Sequence, residues 1–159
     1  MNKKEAAFSL VELLIVVWIL AFVMTAMIQL FIYTSVEAEM AGNKTLAVSE
    51  AQNKIEEIRN SNYANIVTNY SSGGTPGNIF TPTSFTGKGV VYLDTNGSFI
   101  NSTSSELIGI KVVVCWRNKY GRVVGEDTNL NGQKDAGEDL NGNNQLDSPV
   151  VLMSMITRR

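Results

Sequence analysis

Histidine is absent from this sequence, and its absence removes the usual general base at neutral pH, the Ser/His nucleophile pairs and most zinc sites together. Cysteine occurs once, at Cys115, which excludes an intrachain disulfide and any multi-cysteine metal site. With no cationic imidazole to activate it, Cys115 reads as a small sheet residue, not a reactive thiol. An excess of basic charge is lacking too. The net charge is −2 and the sequence pI is near 5.2, so no broad basic surface for nucleic acid is implied. Glycine first occurs at Gly42 and proline at Pro76, so nothing in the first forty residues breaks a helix.

That breaker-free start contains the most informative stretch, FSLVELLIVVWILAFVMTAMIQLFIY at Phe8 to Tyr33. It is long enough to cross a bilayer, which takes about 20 residues of helix. Lys3 and Lys4 precede it and Glu12 lies inside it. A carboxylate within a membrane segment costs about 2–3 kcal/mol or more, so it marks a position with a partner. A cleavable secretory signal would have a shorter apolar core of about 7–15 residues and a small-x-small exit, and neither is present here. The positive-inside rule keeps Lys3 and Lys4 cytoplasmic and sends the remainder outward. The expected form is a single-pass protein, its N-terminus cytoplasmic and its head on the outer side of the membrane.

AAFSLVELLIVVWIL resembles the N-terminus of the type IV pilin superfamily, which includes pilins, minor pilins and the pseudopilins of type II secretion. The pattern is a short basic leader, a small residue at the cleavage point, Phe starting the mature chain and Glu as its fifth residue. The resemblance makes residues 1–7 the leader, places cleavage between Ala7 and Phe8, and makes Glu12 the fifth mature residue. Ala7 stands where the family usually has Gly, and the kinking Pro of major pilins is missing. The resemblance further implies processing by a prepilin peptidase, N-methylation, and assembly in which Glu12 pairs with the N-terminal amine of an adjacent subunit. Opposite charges in a low dielectric attract strongly enough to fix subunit register.

After Tyr33 the chain turns amphipathic. Val48, Ala51, Ile55 and Ile58 recur at helical spacing, with Glu50, Asn53, Lys54 and Glu57 on other faces. Glu50 and Lys54 have the favourable order for an i,i+4 pair, and Gly42–Asn43 is a point where the helix can bend. A continuous helix from Phe8 to Arg59 would be roughly 75–80 Å long. Its apolar half is 8–33 and its amphipathic half 34–60. A membrane anchor with a coiled-coil stalk is the alternative, but no sustained heptad runs through the segment.

Residues 61–89 are rich in Asn, Ser, Thr, Gly and Pro and predict a loop, with a short strand at Asn78–Phe80. The head, 90–159, predicts strands at Val90–Asp94 and Ser98–Ile100 joined by a Thr95-Asn96-Gly97 hairpin turn. Leu107–Arg117 puts Ile108, Ile110, Val112, Val114 and Trp116 on one face, with Gly109, Lys111, Cys115 and Arg117 opposite. Arg122–Val124 and Val150–Thr157 complete an antiparallel set. The fold class is α+β: a long N-terminal helix against a small antiparallel sheet, which is also what the pilin resemblance implies.

Between the last two strands, at 126–148, lies an acidic insertion that includes EDTNLNGQKDAGEDLNGNNQLD, Glu126 to Asp147. From Asp127 it fits the calcium-loop template D-x-[DN]-x-[DN]-G-x5-E. Asp127, Asn129 and Asn131 take ligand positions 1, 3 and 5, Gly132 makes the turn, and Gln133 offers its carbonyl. Asp135 stands at position 9 and Glu138 at position 12. Short oxygen-bearing side chains at alternate positions curl around one ion. Twelve residues on, Asp139, Asn141, Asn143, Gln145 and Asp147 repeat the pattern. There Asn144 replaces the Gly and Val150 the Glu, which predicts a weaker second loop. It resembles the calcium repeats of dockerins. The alternative is an Asn/Gly/Asp-rich surface loop that binds nothing.

The expected function is mechanical. The chain would be a minor pilin or pseudopilin in a type IV pilus or type II secretion pseudopilus, a substrate of a peptidase and not an enzyme. Its partners would be the prepilin peptidase, other pilin or pseudopilin subunits along the N-terminal helix, and inner-membrane lipid. Neither nucleic acid nor a small-molecule substrate is expected, and structural Ca2+ is the one cofactor expected. The rivals are an unprocessed membrane-anchored calcium-binding or adhesion module and, well behind it, an exported hydrolase using paired carboxylates such as Glu126 and Asp139.

Overall fold

A computed structural model describes residues 9–99 and 106–158. The expected leader, the Ala7–Phe8 cleavage point, Lys3, Lys4 and Ile100 of the expected Ser98–Ile100 strand lie outside the described residues. The chain divides into two compact units, Met1–Glu39 and Met40–Arg159.

Helix α1, Leu10–Arg59, is continuous over 50 residues and contributes to both units. Within the first unit its apolar side chains are exposed all round, from Leu10 to Tyr33. The helix is long and apolar enough to cross a membrane, with a mean hydropathy of 2.6 over its most apolar window. The helix continues without interruption through Gly42–Asn43.

In the second unit α1 supplies one stripe to the core. Ala47, Ala51, Ile55 and Ile58 are buried, and Val48 packs at its margin. Their four- and three-residue spacing keeps them on one helical face. The small alanines let the helix backbone approach the sheet. Lys54 bonds Glu57 at 2.7 Å and lies 5.0 Å from the centre of the Phe80 ring, so the expected Glu50–Lys54 pair does not form. Glu50 instead accepts from the Thr83 and Ser84 hydroxyls.

The expected 61–89 loop holds more structure than its composition suggests: a 3-10 turn at Tyr63–Asn65, helix α2 at Ile66–Tyr70 and strand β1 at Ile79–Phe80. Strand β2 is Gly87–Asp94, β3 Leu107–Arg117, β4 Val123–Val124 and β5 Val151–Thr157. Every pairing is antiparallel, in the order β1-β2-β3-β4, with β5 also on β3. The expected hairpin at 95–97 is replaced by a turn. The buried carboxylate of Asp94 accepts from the backbone amides of Asn96, Gly97, Ser98 and Phe99, which curls the chain and leaves no strand at 98–99.

Strand β3 is central. Ile108, Ile110, Val112, Val114 and Trp116 face α1 and join its stripe in one core. Alternation alone would leave the other face to solvent, yet Lys111, Val113 and Cys115 on it are buried as well. The insertion between β4 and β5 covers that face. It leaves the sheet at Val124, opposite Trp116, and re-enters at Val151, opposite Val113. Both ends therefore attach to the same edge of β3, a few residues apart.

Candidate functional site

The insertion contains no helix or strand, so its shape rests on side chain–backbone hydrogen bonds. In the first loop Asp127 accepts from the Asn131 amide at 3.0 Å and the Gly132 amide at 2.8 Å. Asn129 Oδ1 accepts from the Asn131 amide at 3.0 Å and Asn131 Oδ1 from the Gln133 amide at 2.6 Å. The Asn129 and Asn131 amide groups both donate to Asp135 Oδ2, at 2.7 and 2.8 Å. These are the short polar residues at alternate positions that the template selects, and each bond closes a local turn.

The second loop repeats the set twelve residues later. Asp139 accepts from the Asn143 and Asn144 amides at 3.0 and 2.8 Å. Asn141 Oδ1 accepts from the Asn143 amide at 3.0 Å, and Asn143 Oδ1 from the Gln145 amide at 2.8 Å. Asn141 and Asn143 donate to Asp147 Oδ2, each at 2.6 Å. The backbone repeats too, with positive φ at Leu130 (58°) and Gly132 (77°) matched by Gly142 (73°) and Asn144 (63°). Asn144 adopts the left-handed conformation that its template position requires.

Position twelve differs. Glu138 is buried and accepts from the Thr128 amide and hydroxyl at 2.8 and 2.6 Å and from the Asp135 amide at 3.1 Å. It thereby closes the first loop end to end. Its counterpart, Val150, is a core residue. Glu126 ties the pair of loops together by accepting from the Leu140 amide at 3.2 Å and the Asp147 amide at 2.9 Å.

The charges are uneven. Asp127 is fully buried, and burial pushes its carboxyl up despite the Gly132 and Asn131 amides that favour the anion. Asp135 is held below the ordinary carboxylate range by the Asn129 and Asn131 amides. At Glu138 burial acts upward, but the Thr128 hydroxyl and the backbone amides outweigh it and hold the carboxyl down. Burial also acts upward on Asp147, where the Lys111 ammonium and the Asn141 and Asn143 amides prevail and lower it. Burial raises the Cys115 thiol, in keeping with an inert sheet residue.

Among the described residues no three His, Cys, Asp or Glu side chains converge into a metal cluster by themselves. The first loop interleaves three carboxylates (Asp127, Asp135 and Glu138) with amide or carbonyl oxygens at Asn129, Asn131 and Gln133. The structure brings the template residues of each loop into one local turn system. Residues that the sequence pattern passed over also belong to the site: Thr128, Glu126 and, from β3, Lys111. Thr128 and Glu126 sit within or beside the template. No local signal marks Lys111.

Glu12 occupies the first turn of α1, in the first unit. The family model described as the prokaryotic N-terminal methylation motif matches residues 2–28, the stretch that holds Ala7, Phe8 and Glu12. No curated protein and no solved structure matches the chain. The α+β architecture, a long apolar N-terminal helix with a small antiparallel sheet, is type IV pilin-like. Together with the methylation motif it supports a membrane-anchored protein of the type IV pilin kind.

Proposed function

We propose that the chain is a structural subunit of a type IV pilus or type II secretion pseudopilus, a minor pilin or pseudopilin and not an enzyme. A prepilin peptidase cuts between Ala7 and Phe8 and methylates the new N-terminus. The apolar half of α1 is held in the inner membrane until neighbouring subunits take the place of lipid. The observation that carries this reading is the methylation motif at residues 2–28, continuous with a helix whose apolar residues are exposed from Leu10 to Tyr33. So large an apolar surface needs lipid or other helices around it. Glu12 meets the N-terminal amine of an adjacent subunit, and the ion pair sets the axial register.

The head carries calcium in the first loop of the insertion. The donors fit a hard cation: all are oxygens, at the spacing a calcium loop uses. Among the described residues no lysine or arginine pairs with the buried Asp127 or Glu138. Calcium would neutralise the three carboxylates. Asp127, Asn129, Asn131, the Gln133 carbonyl, Asp135 and Glu138 would hold it, and the ion would hold the first loop closed. Asp139, Asn141, Asn143, Gln145 and Asp147 repeat the donor pattern in the second loop, where Val150 stands in place of the position-twelve carboxylate.

Intact mass and N-terminal sequencing, with and without a co-expressed prepilin peptidase, test the assignment. The expected product begins at Phe8 and carries one extra methyl group. A chain that still begins at Met1 in the presence of an active peptidase would sink the filament-subunit reading and leave an anchored calcium-stabilised module.

A further inference from the structure

The two loops match bond for bond until their last positions, and there the second loop has what the first lacks. The Lys111 ammonium, reaching out from β3, lies 2.8 Å from Gln145 Oε1 and 2.9 Å from Asp147 Oδ1. Its side chain is 7% exposed. The Tyr92 ring lies 5.8 Å from the ammonium, and the Tyr92 hydroxyl accepts from the Leu146 amide at 2.8 Å. Lysine and tyrosine together thus fix three consecutive residues of the loop, Gln145 to Asp147.

We propose that Lys111 is the resident cation of the second loop, so that the insertion closes one loop around calcium and the other around a lysine of its own sheet. The inference rests on reading the insertion as a pair of calcium-type loops. The first loop has three carboxylates and, among the described residues, no lysine or arginine against any of them. The second has two carboxylates and two lysines. Lys111 meets Asp147, and Lys134 lies 3.9 Å from Asp139.

An ammonium is a compact point charge with three donors. Here it engages the side chains at positions seven and nine of the template. A divalent ion in the same loop would be repelled at short range by a positive charge that burial screens poorly. The missing position-twelve carboxylate agrees with this. With Val150 committed to the core, the second loop also lacks the bidentate ligand that Glu138 offers the first. The pairing also accounts for a buried charge on β3 between Gly109 and Val113.

The test is hydrogen exchange of the full-length protein in detergent, in calcium and in EDTA, followed by mass spectrometry. The matched reporters are the amides of Asn131, Gly132 and Gln133 in the first loop and Asn143, Asn144 and Gln145 in the second. In the wild type the second set should exchange within about twofold of the same rate in both conditions. The first set should exchange at least tenfold faster in EDTA. In Lys111→Met the second set should lose at least tenfold protection in EDTA, and Lys111→Arg should restore most of it.

Wild-type protection that falls in both loops on calcium removal would overturn the proposal, as would a Lys111→Met variant that leaves the second loop unchanged. A first loop indifferent to calcium would refute the calcium reading alone, because the comparison of wild type with Lys111→Met still judges the lysine. If Lys111→Met does not fold, Gln145→Leu takes its place, since it removes one of the two oxygens on the ammonium and should expose the same amides.

Discussion

Glu138→Gln separates the ion-binding role of this residue from its hydrogen-bonding role. Glu138 accepts three hydrogen bonds, two from Thr128 on one oxygen and one from the Asp135 amide on the other. Gln keeps one acceptor oxygen, so one bond to a charged group is lost, costing about 1.5–3 kcal/mol without calcium. Calcium adds a second effect. An extracellular-type site with a dissociation constant of about 0.1 mM, at 100-fold excess ion, stabilises the fold by about 2.7 kcal/mol, or on the order of 10 °C in Tm for a domain of this size. Removing one of three carboxylates and the bidentate contact should weaken binding by about tenfold or more, which cuts the calcium-induced gain to about 1.4 kcal/mol or less. Thermal unfolding of both proteins in EDTA, 10 mM calcium and 10 mM magnesium reads both effects. Equal calcium shifts in wild type and Glu138→Gln would refute the ligand role, and a wild type that melts identically in calcium and EDTA would refute the site.

Glu12→Ala should still insert in the membrane but enter sheared filaments about tenfold less, measured by immunoblotting of filament and membrane fractions; undiminished incorporation would refute the register role. Gly132→Ala and Gly142→Ala share the cost of a left-handed φ, about 1–2 kcal/mol. Only at Gly132 would the new Cβ fall 2.6 Å from Ile79 Cγ2, whereas Gly142 is open. Gly132→Ala should therefore have the lower urea midpoint, and the reverse order would show that the first loop does not rest on β1. Ile110→Ala, fully buried beneath α1, should cost about 2–5 kcal/mol in urea unfolding, and a loss under 1 kcal/mol would deny that β3 centres the core.

Local pattern accounts for what the sequence revealed of the fold. Strand β3 falls on Leu107–Arg117 as alternation predicts, because five large apolar residues at period two leave little room for another register. Helix α1 runs to Arg59 as expected, since no breaker interrupts its stripe. Strand β2 begins at Gly87, three residues before the expected start, because Gly87 and Gly89 read as loop. They are glycines within a strand because a Cβ at Gly87 would meet the Cys115 carbonyl and the Phe85 ring, and one at Gly89 the Phe80 ring. Helix α2 is too short for any period to show, and tertiary contact holds it, with Tyr70 donating to Glu57 at 3.1 Å. The loop residues of the candidate site were legible because a turn template is local. Lys111 was not, because its partners lie 34 and 36 residues away and alternation tells only which face of β3 it occupies.

The insertion begins and ends on the same edge of β3, which makes the head tolerant of a cut. Leu140, 82% exposed, is the second residue of the second loop. With the chain opened there, the upstream piece would still be anchored by β4 on β3 and the downstream piece by β5 on β3. The Glu126 amide bonded to the Asp147 carbonyl at 2.8 Å would still span the break. Protease nicking at this exposed tip would thus yield two fragments that migrate separately in denaturing gels and together under native conditions.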